Sequence, residues 1–184
     1  LCEAASGVAR LAEEDVLVAC ESALVACRAT PDVIVQLGMM PTSASYARLL
    51  AAVEGAEVFA IAEVGVYDPV HAATAIWQAD PVDLLTRVHA EIEGGEEAGA
   101  LAAERRAFAA ELCGSEAAAR ARGVAVMAAG QLSEPEALRV LGQAIPRESL
   151  VFVGNSLIVR DYDVFAYPET VGVRVLHQRG VAGI

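Results

Sequence analysis

Along the chain, short β-branched apolar runs alternate with longer stretches whose apolar positions recur at helical spacing. DVLVAC (15–20), DVIVQL (32–37) and EVFAIA (57–62) have the pattern of strands buried on both faces. Between them, Ser22–Arg28 and Ser43–Glu54 have helix-forming composition. Thr42 or Ser43 stands where a side-chain oxygen would cap the second helix, just after Pro41. Asp68-Pro69 marks a turn, and no element is assigned to VHAATAIW (70–77) beyond it. Pro81–Ile92 reads as a helix with Asp80 as its cap and Pro81 at the first helical position, where a missing N–H and a fixed φ are tolerated.

EGGEE (93–97) reads as a linker, because paired glycines and like charges disfavour order. The Ala-, Glu- and Arg-rich stretch after it reads as a helical connector crossing the surface, with a domain boundary near 112–118. Ser133 opens SEPEALRVLGQAI with Glu136 three residues on, a capping-box pattern. A strand is expected at SLVFVG (149–154), a helix over about 157–166, and a strand at GVRVLHQ (172–178). Strand and helix in alternation predict an α/β fold with a parallel sheet and right-handed crossovers. The last strand is expected to find few partners, since little chain follows about residue 165.

The chain carries a net charge of −12, which argues against nucleic acid or an anionic membrane surface as partner. Its apolar share of 55% never gathers into a run of roughly 20 residues that could span a bilayer. The opening LCEAASGVARLAEED carries acids early and lacks the layout of a signal peptide; Leu1 is not an initiator Met, so the chain is read as starting inside something larger. Every basic residue is Arg, which excludes Schiff-base chemistry and a P-loop lysine. Cys2, Cys20, Cys27 and Cys113 form no CxxC pair, and His71, His89 and His177 are scattered. Free, mostly buried thiols in a reducing compartment and no zinc site are expected.

Two segments carry candidate chemistry. In VFVGNSLIVRD (151–161) an apolar strand stops at Gly154, polar Asn155 and Ser156 follow, and a helical stretch bears Arg160 one turn beyond Ser156. In parallel α/β sheets ligands bind outside the carboxyl ends of strands, where helix N-termini point at anions. Asn155 is the only Asn in the chain. HQRGVAGI (177–184) ends another strand in Arg179-Gly180. If the two strands are neighbours, Arg160 and Arg179 converge on one crevice and hold carboxylates through charge-assisted bonds. Taken singly, an ordinary capped turn and a surface Arg before a turn Gly account for the same residues.

GNSLIVRDYDVFA followed by QRGVAGI resembles the start of the diphosphate-binding domain of the SEPHCHC synthases, whose pattern is close to GNS-x-x-x-RD followed by NRG-x-x-GIDG. LSEPEALRVLGQAIPRESLVFVGNS (132–156), PDVIVQLGMMPTS (31–43) and VYDPVHAA (66–73) are also similar, in the same order. The resemblance implies a central α/β domain over 1–114, partial at its N-terminus, and a truncated diphosphate-binding domain over 115–184. It implies thiamine diphosphate and Mg2+ as cofactors. It also implies decarboxylation of 2-oxoglutarate and addition of the succinyl unit to isochorismate, in menaquinone or phylloquinone biosynthesis. Ser156, Arg160 and Arg179 match substrate-binding positions, and Asn155 and Ser156 would lie near the diphosphate. The activating glutamate and the metal ligands of the family fall outside this chain, so no catalytic residue and no metal ligand is assigned here and the isolated chain is expected to be inactive. A homo-oligomer is implied, soluble and intracellular, in bacterial cytoplasm or a plastid.

Two departures from the pattern matter. Ala44-Ser45 stand where many members of the family have Lys, often Lys-Arg, and Gln178 replaces the Asn before Arg-Gly. The first keeps open a second reading, a catalytically degenerate module that binds an anionic metabolite or mediates subunit assembly. A third, another thiamine-diphosphate enzyme such as an acetolactate synthase relative, is opposed by the GNS, RD and QRG set. Elsewhere, Met39-Met40 read as core filling, Arg105-Arg106 as a solvated helix face, and Trp77 as the anchor of a helix against the sheet.

Overall fold

The computed structural model describes residues 20–41, 43–65, 68–93, 102–130, 132–166 and 172–178. Its elements run α1 (Cys20–Ala26), β1 (Val33–Leu37), α2 (Ala44–Ala52), β2 (Glu57–Ala62), β3 (Ala75–Gln78), α3 (Pro81–Glu93), α4 (Ala102–Ala128), α5 (Glu134–Ala144), β4 (Leu150–Val153), α6 (Leu157–Phe165) and β5 (Arg174–His177). The strand pairs β1–β2, β2–β3 and β4–β5 are parallel, so the fold is α/β as the alternation predicts. Of the strand expected at 15–20, only Cys20 is described, and it begins α1. Residues 94–97 of the expected linker lie outside the described residues. Among the described residues no helix is long and apolar enough to cross a membrane.

The chain divides into two compact units, with breaks between Cys27 and Arg28 and between Glu111 and Leu112, the second inside α4. Residues 28–111 form the first. Its sheet has the order β1-β2-β3, with Val35 opposite Phe59 and Phe59 opposite Ala75. Central β2 buries Val58, Ala60, Ile61 and Ala62, as a strand flanked on both sides should. Ser43 caps α2, its Oγ accepting from the Tyr46 N–H at 3.1 Å. Asp80 caps α3 through Oδ1, which accepts from Val82 N at 2.7 Å and Asp83 N at 3.1 Å. The Glu111 carboxylate accepts from the N–H groups of Arg28 at 3.1 Å and Ala29 at 2.9 Å, satisfying backbone just ahead of β1.

Two expectations for this unit need correction. Trp77 lies on strand β3, not on a helix, and stacks on Phe59 of β2, ring centroids 5.1 Å apart. That cross-strand pair helps hold a four-residue strand which local pattern does not announce. Met39 is not core filling either. Gly38, at φ 72°, turns the chain out of β1, and Met39 is left 66% exposed. Arg105 and Arg106 are exposed on α4, as a solvated face requires.

The second unit comprises α1 with the chain from Leu112 onward. In it β4 and β5 pair in the register Val151 to Val175 and Val153 to His177. One face of this sheet packs on α5 and α6, in a core of Leu138, Val153, Val159, Tyr162, Ala166 and Val175. Gly142 of α5 lies directly against the backbone of Ala166, where α6 ends: a Cβ on Gly142 would meet the Ala166 carbonyl carbon at 2.7 Å. The last strand is better supported than expected, because Val173 and Val175 are buried at 0% and 2% exposure. The capping box at α5 is half formed. Ser133 Oγ accepts from Glu136 N at 3.4 Å, but the Glu136 carboxylate is taken by Arg139, at 2.8 and 2.7 Å. That pairing holds the Glu136 carboxyl below its ordinary range. Cys27 and Cys113 are thiols outside any disulfide, half-buried rather than enclosed.

Candidate functional site

Val153 and His177 are register partners and the last residues of their strands, so β4 and β5 end at one edge of their sheet. Gly154, Asn155 and Ser156 carry the chain from that edge into α6. Asn155 is half-buried, and Ser156 is exposed. Ser156 occupies the N-cap position at φ 75°, ψ −136°, a region an L-residue rarely enters. In this conformation its side chain makes no capping bond, unlike Ser43 and Ser133 at the starts of α2 and α5. The ordinary capped turn that would explain this segment is therefore not what is built. Ser156 supplies no side-chain acceptor to the first-turn N–H groups of α6, which are the groups that bind anions at helix starts.

Arg160 lies on α6 one turn beyond Ser156 and is exposed. Its charge reaches the adjacent Asp161, whose carboxyl is pushed up by partial burial while Arg160 pulls it back down. Asn155, Ser156 and Arg160 thus come together over one turn and the first part of one helix. A helix N-terminus with a guanidinium a turn above it can hold a phosphate or a carboxylate and neutralise its charge. Gly154 adds room, since a Cβ there would meet only Ile158 Cγ2, at 3.9 Å. These features fit a diphosphate.

The strand adjacency on which convergence of Arg160 and Arg179 depends is present, but Arg179 lies outside the described residues. Gln178, the residue before it, is exposed. His177 ends β5 at this same edge and is half-buried. Sequence reasoning passed over it, because histidine spacing speaks to metal sites and not to strand ends; its place as the last residue of a strand next to β4 is the signal that finds it.

In the other unit, Ala44 and Ser45 open α2. Ser45 is 4% exposed, and its Oγ accepts from Arg48 Nη2 at 2.7 Å. Beside it the buried Tyr46 donates its hydroxyl to Gln36 Oε1 at 3.2 Å. Burial, helped by the charge of Asp68, pushes the Tyr46 phenol up to about 12. Burial would raise the Asp68 carboxyl too, but the N–H groups of Ala73 and Ala72 at 2.9 and 3.1 Å, with His71 close by, hold it below its ordinary value.

No family model matches the chain. Individual relatives do, and they agree. The chain is 36% identical over 154 residues to the 2-succinyl-5-enolpyruvyl-6-hydroxy-3-cyclohexene-1-carboxylate synthase of Sorangium cellulosum, covering 84% of this chain and 25% of that protein. It is 33% identical over 158 residues to the synthase of the same name from Halorubrum lacusprofundi, with 84% and 25% covered. For the synthase of Rubrobacter xylanophilus the values are 30% over 155 residues, 84% and 26%. The chain spans about a quarter of the length of these relatives. Over the segment it spans, the chain belongs to the family of 2-succinyl-5-enolpyruvyl-6-hydroxy-3-cyclohexene-1-carboxylate (SEPHCHC) synthases.

Proposed function

We propose that this chain is the part of a thiamine-diphosphate-dependent transferase that helps hold cofactor and substrate, in an enzyme that decarboxylates 2-oxoglutarate and adds the succinyl unit to isochorismate for menaquinone or phylloquinone biosynthesis. The observation that carries this reading is the pairing of parallel strands β4 and β5: Gly154-Asn155-Ser156 and Arg160 follow the first, and Arg179 follows the second in the sequence, in a chain whose relatives bear the synthase name. Asn155 and Ser156 sit near the diphosphate, and the first-turn N–H groups of α6 donate hydrogen bonds to its oxygens. Ser156, Arg160 and Arg179 bind the substrate carboxylates. Both substrates are dicarboxylates, so in a chain of net charge −12 these arginines supply the local attraction. Thiamine diphosphate, bound with Mg2+, supplies the electron sink for decarboxylation, and this chain's residues orient and neutralise charge around it.

The domain assignment belongs to the same proposal: residues 1–114 to a central α/β domain and 115–184 to a diphosphate-binding domain. The break between Glu111 and Leu112 supports a boundary at this point, while α1, which packs against α6, groups with the later residues. Because the chain spans a quarter of its relatives, we expect no turnover from these 184 residues alone and full activity only in a polypeptide with the remaining parts, working as a homo-oligomer.

The test is turnover of the complete polypeptide with 2-oxoglutarate, isochorismate, thiamine diphosphate and Mg2+. Arg160→Ala and Arg179→Ala should each lower kcat/KM by roughly 10- to 150-fold, the worth of one charge-assisted contact. Arg160 is exposed, so its variant should melt with the parent. Unchanged kinetics in both variants would remove these residues from the site. One observation favours a second reading, a degenerate module that binds an anionic metabolite or serves assembly: at the start of α2, Ala44 and the inward-turned Ser45 offer no charge where the family pattern described above has Lys. A wild-type polypeptide that binds cofactor without turning over would select it.

A further inference from the structure

We draw no further inference here: the strongest candidate, the apolar face of the β4–β5 sheet on which Leu150, Phe152 and Leu176 are exposed, carries none, because nothing in the structure shows what covers it.

Discussion

Replacing Gly142 by Ala tests the packing of the unit that carries the candidate site. The added Cβ would lie 2.7 Å from the Ala166 carbonyl carbon and 3.2 Å from its Cα, with the carbonyl oxygen nearer still. Carbon atoms pack favourably at roughly 3.5–4.0 Å, so α5 and the end of α6 must separate by close to ~1 Å. Both partners are backbone, and no side-chain rotation relieves the contact. Overpacking of this kind costs about 1–3 kcal/mol, here at the upper end, and the better helix propensity of Ala returns about 1 kcal/mol. The expected net loss is about 2 kcal/mol, a fall in Tm of roughly 4–8 °C for a chain of this length. Gly114→Ala is the matched control. Gly114 is exposed in α4 with nothing within 4 Å of the added atom, so the same substitution there should stabilise by up to about 1 kcal/mol. Thermal melts followed by circular dichroism read both. If Gly142→Ala is as stable as the parent, α5 does not approach Ala166 as described and the reasoning fails.

Other expectations follow from single residues. Ser156→Gly should raise stability by roughly 1 kcal/mol, because glycine adopts the φ of 75° without strain; no gain in a denaturant titration would contradict that backbone conformation. The Tyr46 phenol titrates near 12, so the neutral form is favoured by folding: its contribution is complete below the ordinary value of 10 and is lost as pH rises through about 12. Spectrophotometric titration of the parent against Tyr46→Phe should show the late-ionising phenol missing from the variant, and a phenol near 10 would refute the burial argument. Ser43→Ala should cost about 1–2 kcal/mol and Ser133→Ala about 0.5 kcal/mol, because the first cap is buried with a 3.1 Å bond and the second is exposed at 3.4 Å. Equal losses in urea titrations would show that bond length and burial do not rank these two caps.

Much of this chain is legible before it folds. β-Branched runs place β1, β2, β4 and β5, and the capping residues Ser43, Asp80 and Ser133 each stand at a helix start, because a side-chain oxygen three residues from an orphan N–H is a local device. The GNS, RD and QRG residues are likewise readable, since similarity is a property of the linear chain. Tertiary structure decided the rest. Trp77 became part of a strand because Phe59 and the β2 backbone gave it cross-strand partners that no window around residue 77 contains. Glu136 left its capping role for Arg139, one turn on, because a charged partner outbids a backbone N–H for a carboxylate. Gly142 is an unremarkable helix residue in the sequence, and only the approach of Ala166 makes it obligatory. Above all, the sequence could state only conditionally that the strands before Asn155 and Arg179 are neighbours. Pairing of β4 with β5 settles it, since strand adjacency is fixed by which apolar faces α5 and α6 can bury together, and that is a non-local choice.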